Sequence, residues 1–319
     1  MYRSGAGKIT ARAAAVIVLA MAVPVAVPIA APAPASAADP RAPAGQDPGG
    51  TALALIGGGI DYMSARIALR LARDGEGEMI AWDFVDNDQT PYVAPSTEAE
   101  AGAGAAPSAD RASETVAPEG NRVAEAMLTA YARGRLVPVR VPEGNPQSLA
   151  RAIAFAVGTP AEIIAIAAPV TDPAMREVVR QAANRFKDHL FVVAAAPIEP
   201  GTGAGPTSAG GLLNLANVLV VTSAPEVKGR NATLVSSLVD LIVVPRGSTM
   251  FGSAPDAAPR DAFEAVAMAA ASAACQRHGA DTMRGSAVKA ATFDASRPIE
   301  GSGGVRVLDP ICFYGGKRL

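Results

Sequence analysis

Arg260–Cys275 reads RDAFEAVAMAAASAAC, and this stretch decides the fold. Past Phe263, Val266 and Met268 are its only larger apolar side chains; almost everything else is Ala. Alanine is the best helix former, and it is small enough for neighbouring elements to approach closely. A helix apolar on every face is buried on every face. The expectation is a central helix with the remaining elements packed around it. Ser272 is expected to loosen its last turn, and His278-Gly279 to stop it. The residues at its N-terminus then decide the chemistry.

Working outward, short apolar runs alternate with helical patterns. Thr51–Ile56 (TALALI) reads as a buried strand running into Gly57-Gly58-Gly59, Ala65–Arg73 as a helix, and Glu78–Val85 as a strand. Helices are expected at Asn121–Ala132, Gln147–Val157 and Ala174–Lys187, the last opened by Asp172-Pro173. Strands are expected at Leu136–Val141, Glu162–Ala167, Leu190–Ala195, Asn217–Thr222 and Asp240–Val244. Near-continuous Val, Ile and Leu in strands that alternate with helices predicts an α/β fold. Its sheet is mostly parallel and covered on both faces, with right-handed crossovers. There is no internal repeat.

The chain has 319 residues, half of them hydrophobic and only 4% aromatic, so its core is aliphatic. With 28 basic against 30 acidic residues, nothing points to nucleic acid or an anionic membrane surface. Met1–Ala37 reads as a signal peptide: Arg3, Lys8 and Arg12, then AAAVIVLAMAV (Ala13–Val23), then Ala35-Ser36-Ala37. Pro24 and Pro28 cut the apolar run short of a membrane span. Residues 38–50 read as a linker, 51–316 as one domain, and 94–118 as a flexible loop within it. The mature chain is thus expected in the periplasm or outside the cell, free of the membrane. Export permits a disulfide between the chain's two cysteines, Cys275 and Cys312; two separate buried thiols is the alternative.

In the order of its pieces the sequence resembles the subtilisin-like serine peptidases, from about Thr51 to Gly315. ALALIGGGID (Ala52–Asp61) resembles that family's first motif, and AWDFVDNDQTPY (Ala81–Tyr92) the loop before its histidine. SLARAIAFAV (Ser148–Val157) followed by EIIAIA resembles its helix-strand pair. LFVVAAAP (Leu190–Pro197) is similar to the strand leading into its oxyanion segment, and NVLVVTSA and VDLIVVPRG to its later strands. The Ala-rich helix resembles the one that begins Gly-Thr-Ser-Met-Ala. The resemblance implies a subtilisin-like fold with a buried central helix.

The family's chemistry needs a serine, an imidazole and a carboxylate, with a side-chain amide for the oxyanion. Carried over by motif, the aspartate falls on Gly57 and the histidine on Glu119 of Glu119-Gly120-Asn121-Arg122-Val123-Ala124. The oxyanion asparagine falls on Ile198. The serine falls on Ala262 of Arg260-Asp261-Ala262. The resemblance therefore implies a serine-peptidase homologue without its catalytic residues, a pseudoenzyme with a binding or structural role. Its former cleft would suit an extended peptide or protein segment. A structural envelope protein held by its N-terminal segment is a further reading.

The alternative is an active serine endopeptidase with a rearranged site. Ser248 or Ser253 would attack, and Glu119 or His189 would assist; a Glu base resembles that of the related sedolisins. Against it, Gly252, Pro255 and Pro259 forbid the buried helix that should follow such a serine. His189 stands at a helix-to-strand junction and His278 at the wrong end of the central helix. Asp83, Asp86 and Asp88 around Asn87 offer hard oxygen ligands for calcium, with a solvated turn as the plainer reading; no other cofactor is expected. Gly57-Gly58-Gly59 lacks the dinucleotide-binding spacing, since position 62 is Tyr.

Overall fold

Strand β1 (Thr51–Gly57) is buried along its whole length and is an interior strand, seventh in order, of a nine-stranded sheet. On one side it pairs in parallel with β5 (Gly134–Arg140), which pairs with β2 (Trp82–Asp83). On the other side it pairs in parallel with β6 (Ile163–Ile166). From β6 the sheet continues in parallel through β7 (Leu190–Ala194), β8 (Val218–Ser223), β9 (Leu241–Val243) and β11 (Arg306–Leu308). Only β10 (Arg297–Pro298), at the far edge, runs antiparallel. Pairing outward from β1 to both sides reverses the winding at β1. Open parallel sheets bind ligands in the crevice at the carboxyl ends of strands at such a point. Two small antiparallel pairs complete the strands: β3 (Ser96–Thr97) with β4 (Thr115–Val116), and β12 (Phe313–Tyr314) with β13 (Lys317–Arg318).

The computed structural model describes residues 39–97, 115–195, 211–223, 238–244, 261–278, 282–299, 306–309, 313–314 and 317–318. Six helices are described: α1 (Ala65–Ala68), α2 (Glu119–Ala130), α3 (Pro146–Val157), α4 (Pro173–Arg185), α5 (Ala262–His278) and α6 (Gly285–Asp294). Alternate residues of β1 feed two cores. Leu53 and Leu55 pack with α2, α5 and α6; Ala52, Ala54 and Ile56 pack with α3 and α4. The sheet is therefore covered on both faces, as its unbroken apolar strands require.

Helix α5 is the Ala-rich stretch. Every residue from Glu264 to Cys275 is buried, because β1, β6, β7, β8, β9, α2 and α6 all pack against it. It runs unbroken through Ser272 to His278, so the expected loosening of its last turn is absent. Cys275 is disulfide-bonded; Cys312 lies outside the described residues.

Two further expectations need correction. The helical pattern Ala65–Arg73 makes a single turn, Ala65–Ala68. Beyond it the backbone joins β5, through Ala72 N to Leu136 O (2.8 Å) and Leu136 N to Arg70 O (2.7 Å), so tertiary pairing overrides the local period. The run Glu78–Val85 yields only the two-residue β2, because Asp83 turns the chain by accepting from Val85 N and Asp86 N.

The Pro- and Gly-rich stretch from Asp39 to Gly50 is clasped to the domain. Tyr62 Oη donates to Pro40 O (2.5 Å). Asp47 accepts from Gly49 N (2.8 Å), Arg73 N (2.9 Å) and Arg135 Nη1 (2.5 Å). Within 94–118 the two ends pair as β3 and β4, while 98–114 lie outside the described residues.

Candidate functional site

At the carboxyl ends of β1, β5 and β6 lies a cavity of about 270 Å³. Its lining comes from Gly57–Ile60 after β1, Val139 and Val141 of β5 and its exit, and Ala167–Pro169 after β6. Pro118, Glu119, Gly120 and Val123 add the start of α2, and Phe263 the first turn of α5. Two helix N-termini thus meet at the crevice that the sheet leaves open.

Close backbone approach sets this junction. A Cβ on Gly120 would sit 1.8 Å from Gly59 O, so only glycine lets α2 reach the loop after β1. Gly59 has φ +84°, a left-handed conformation that side chains disfavour. Asn121, which is buried, ties the same loop down. Its Oδ1 accepts from Asp61 N (2.5 Å) and its Nδ2 donates to Asp61 O (3.3 Å). The glycine run after β1 therefore serves helix–loop packing.

The start of α5 is acidic. Asp261 Oδ1 accepts from Phe263 N (2.8 Å) and Glu264 N (2.9 Å), an N-cap that satisfies two of the helix's otherwise orphaned donors. Its other oxygen, Oδ2, accepts from Arg122 Nη2 (2.6 Å). Arg122 Nη1 donates to Glu264 Oε1 (2.8 Å), and Nη2 also reaches Glu119 Oε1 (3.4 Å). One guanidinium thus joins the first turns of α2 and α5 through three carboxylates. Burial pulls the Arg122 pKa down, but Asp261 foremost, then Glu264 and Glu119, hold it above its ordinary value.

The residues singled out from the sequence fall as follows. Gly57 and Glu119 both line the cavity. Gly57 is buried, with a Cβ there meeting Ala167 O at 3.0 Å; the Glu119 side chain is 66% exposed. Ala262 does not line the cavity, but its neighbour Phe263 does; Ala262 packs on the core at the first turn of α5. Ile198, Ser248 and Ser253 lie outside the described residues.

His189 and His278 stand at the opposite end of the sheet. His189 precedes β7, half-buried beside Phe186, and burial lowers its pKa against the opposing pull of Asp188. His278 ends α5, with Nε2 2.9 Å from Arg133 Nη1. Neither can serve a site at the strands' carboxyl ends.

Asp83 and Asp86 both accept from Arg140 Nη1, at 3.0 and 2.9 Å. Asp88 accepts from the backbone and hydroxyl of Thr90, and Asn87 turns the chain with φ +60°. Among the described residues no group of three or more His, Cys, Asp or Glu side chains is arranged to hold a metal ion.

Sequence reasoning missed Arg122, Asp261 and Glu264 as a unit. The spacing Asp261-x-x-Glu264 ahead of the alanine run is a helix-start signal and marks two of them. Arg122 could not be found that way, since its partners lie 139 and 142 residues away.

The architecture is that of a subtilisin-like α/β domain: a mostly parallel sheet, helices on both faces, a buried central helix. Among solved structures it is similar to a cold-adapted subtilisin-like serine proteinase, at TM-score 0.53 and 15% identity over 85% of this chain and 92% of that one. It also matches MycP1 from Mycobacterium smegmatis, at TM-score 0.44 and 15% identity over 82% of this chain and 78% of that one; so distant a match bears no weight. No protein-family model and no curated protein sequence matches the chain. Among the described residues no helix is long and apolar enough to cross a membrane.

Proposed function

We propose that this chain is an exported, non-catalytic subtilisin-fold domain whose cleft captures an extended peptide segment. The observation that carries this reading is the Arg122 ion cluster. The junction where the two helices start carries three carboxylates on one guanidinium. Among the described residues lining the cavity, none bears a hydroxyl, thiol or imidazole. Gly57 and Ala262, which resemble the family's aspartate and serine positions, can neither give nor take a proton. Removing triad members leaves only the modest rate enhancement of binding and preorganisation.

Export is supported by the basic, apolar and small-residue segments of Met1–Ala37. Peptide capture is supported by the open carboxyl ends of β1, β5 and β6. The purified mature chain, incubated with casein and analysed by mass spectrometry, should generate no new peptide termini. Turnover that disappears in Ser248→Ala or Ser253→Ala would overturn the reading in favour of a rearranged serine endopeptidase.

A further inference from the structure

The cavity at the start of α2 and α5 has one chemical character in its depth and another at its rim. Leu55, Ile60, Val123 and Val139 are all at most 4% exposed and form its depth with Val141 and Phe263. No side chain there can answer a polar group, so a polar occupant would lose its water without replacement. Among the described lining residues only Glu119 and Glu143 ionise, and both are carboxylates. The nearby cation, Arg122, is already engaged with Asp261 and Glu264.

Gly58 presents no side chain to this space, and Glu119 reaches outward from it. A Cβ built on Gly58 meets nothing within 4 Å.

The geometry points to an anchor pocket for a large aliphatic side chain of an extended peptide, with a lysine or arginine next to it in that peptide. This rests on the peptide-capture reading and names the class of peptide captured. The aliphatic group fills the apolar depth, and the neighbouring cation lies against the Glu119 and Glu143 carboxylates. An acidic neighbour is repelled by the same pair.

The test uses the mature chain and fluorescein-labelled ten-residue peptides with central Ala-Lys-Leu-Ala, Ala-Lys-Ala-Ala or Ala-Glu-Leu-Ala, read by anisotropy. The leucine peptide should bind roughly 10- to 100-fold more tightly than its alanine counterpart, the worth of burying one aliphatic side chain. The glutamate peptide should bind roughly 2- to 10-fold more weakly than the lysine one, as expected of rim charges, with the gap closing in salt. Gly58→Leu should erase the leucine preference, and Gly58→Ala should reduce it, with thermal unfolding unchanged in both. Glu119→Gln combined with Glu143→Gln should erase the lysine preference and keep the leucine one. Equal binding of leucine and alanine peptides, or an undiminished leucine preference in Gly58→Leu, overturns the anchor pocket alone. Cleavage of the peptide, seen by mass spectrometry after the assay, overturns the non-catalytic reading instead. Failure of every peptide to bind overturns peptide capture and the anchor pocket together.

Discussion

The two ends of α5 are built on different terms. At its C-terminal end, below the amino ends of the strands, the buried charges are paired and most polar groups are hydrogen-bonded, His189 Nδ1 being an exception. Glu162 is held by Arg277 (2.7 Å) and by Arg284. Asn217 Nδ2 lies 3.0–3.1 Å from the carbonyls of Ala183, Phe186 and His189, which share its two hydrogens. Lys289 Nζ reaches Leu215 O, Val218 O and Asp240 Oδ2. Burial lowers the Lys289 pKa and raises that of Asp240, with each ion opposing the shift of the other. At the N-terminal end, one arginine answers Glu119, Asp261 and Glu264, Glu143 stands nearby on the rim, and a cavity is left unfilled. Buried polar groups that are fully paired hold a fold together. Exposed carboxylates on the rim of an apolar cleft fit the proposed binding role instead.

That contrast can be broken at several points. The largest effect is expected from Gly120→Val. Its Cβ would overlap Gly59 O, forcing α2 off the loop after β1 at a cost of about 3 kcal/mol or more. Chemical denaturation should show a lowered midpoint with an unchanged slope. Arg122→Ala comes next. It takes the guanidinium away from Glu264, whose side chain is only 5% exposed, and should cost about 2–3 kcal/mol, the buried-pair penalty discounted for the partial exposure of Arg122. Restoring most of this by Glu264→Gln in the same chain would show that the arginine serves as a latch; no recovery would show that packing, not charge, was lost.

At the matched end, Asn217→Ala should cost about 2 kcal/mol, because three carbonyls lose their donor. It should leave the proposed peptide binding at the other end unchanged.

Two smaller effects sharpen the comparison. Burial pushes the Asp47 pKa up, but the amides of Arg73 and Gly49 and the Arg135 guanidinium outweigh it and leave it below the ordinary value. Folding therefore favours ionised Asp47. Its contribution is present above the unfolded-state pKa of about 3.9 and is lost as pH falls through the lower folded value. Asp47→Asn should flatten the acid limb of a pH–stability profile and free the segment before β1 to proteolysis. The smallest effect is Glu119→Gln. An exposed carboxylate 3.4 Å from Arg122 is worth about 0.5 kcal/mol at most, so a larger loss would mean that Glu119 is more than a rim charge.

Much of this architecture can be read from the residues. An alanine run with no polar stripe has no face to give to water, so the burial of α5 follows from composition. The parallel strands follow from their unbroken Val, Ile and Leu, and α3 and α4 from Pro at N1 after Asn145 and Asp172 caps. The misses have local causes. Ala65–Arg73 has helical spacing, but its second half is claimed by β5. Helix α6 was not anticipated, since GSAVKAATFD has no clean apolar stripe and turns Lys289 inward to the ends of β8 and β9. At the site, motif order brings Gly57 and Glu119 to one cavity. The Arg122 cluster was illegible because Asp261 and Glu264 sit at the start of a different helix, and only the folded chain brings them to Arg122.

A serine-directed fluorophosphonate probe on the mature chain, read by intact mass, tests the central claim most directly. On the proposed non-catalytic reading the mass should stay unshifted after prolonged exposure, while an active subtilisin in the same tube is fully labelled. A stoichiometric single adduct on any serine of this chain would contradict the account.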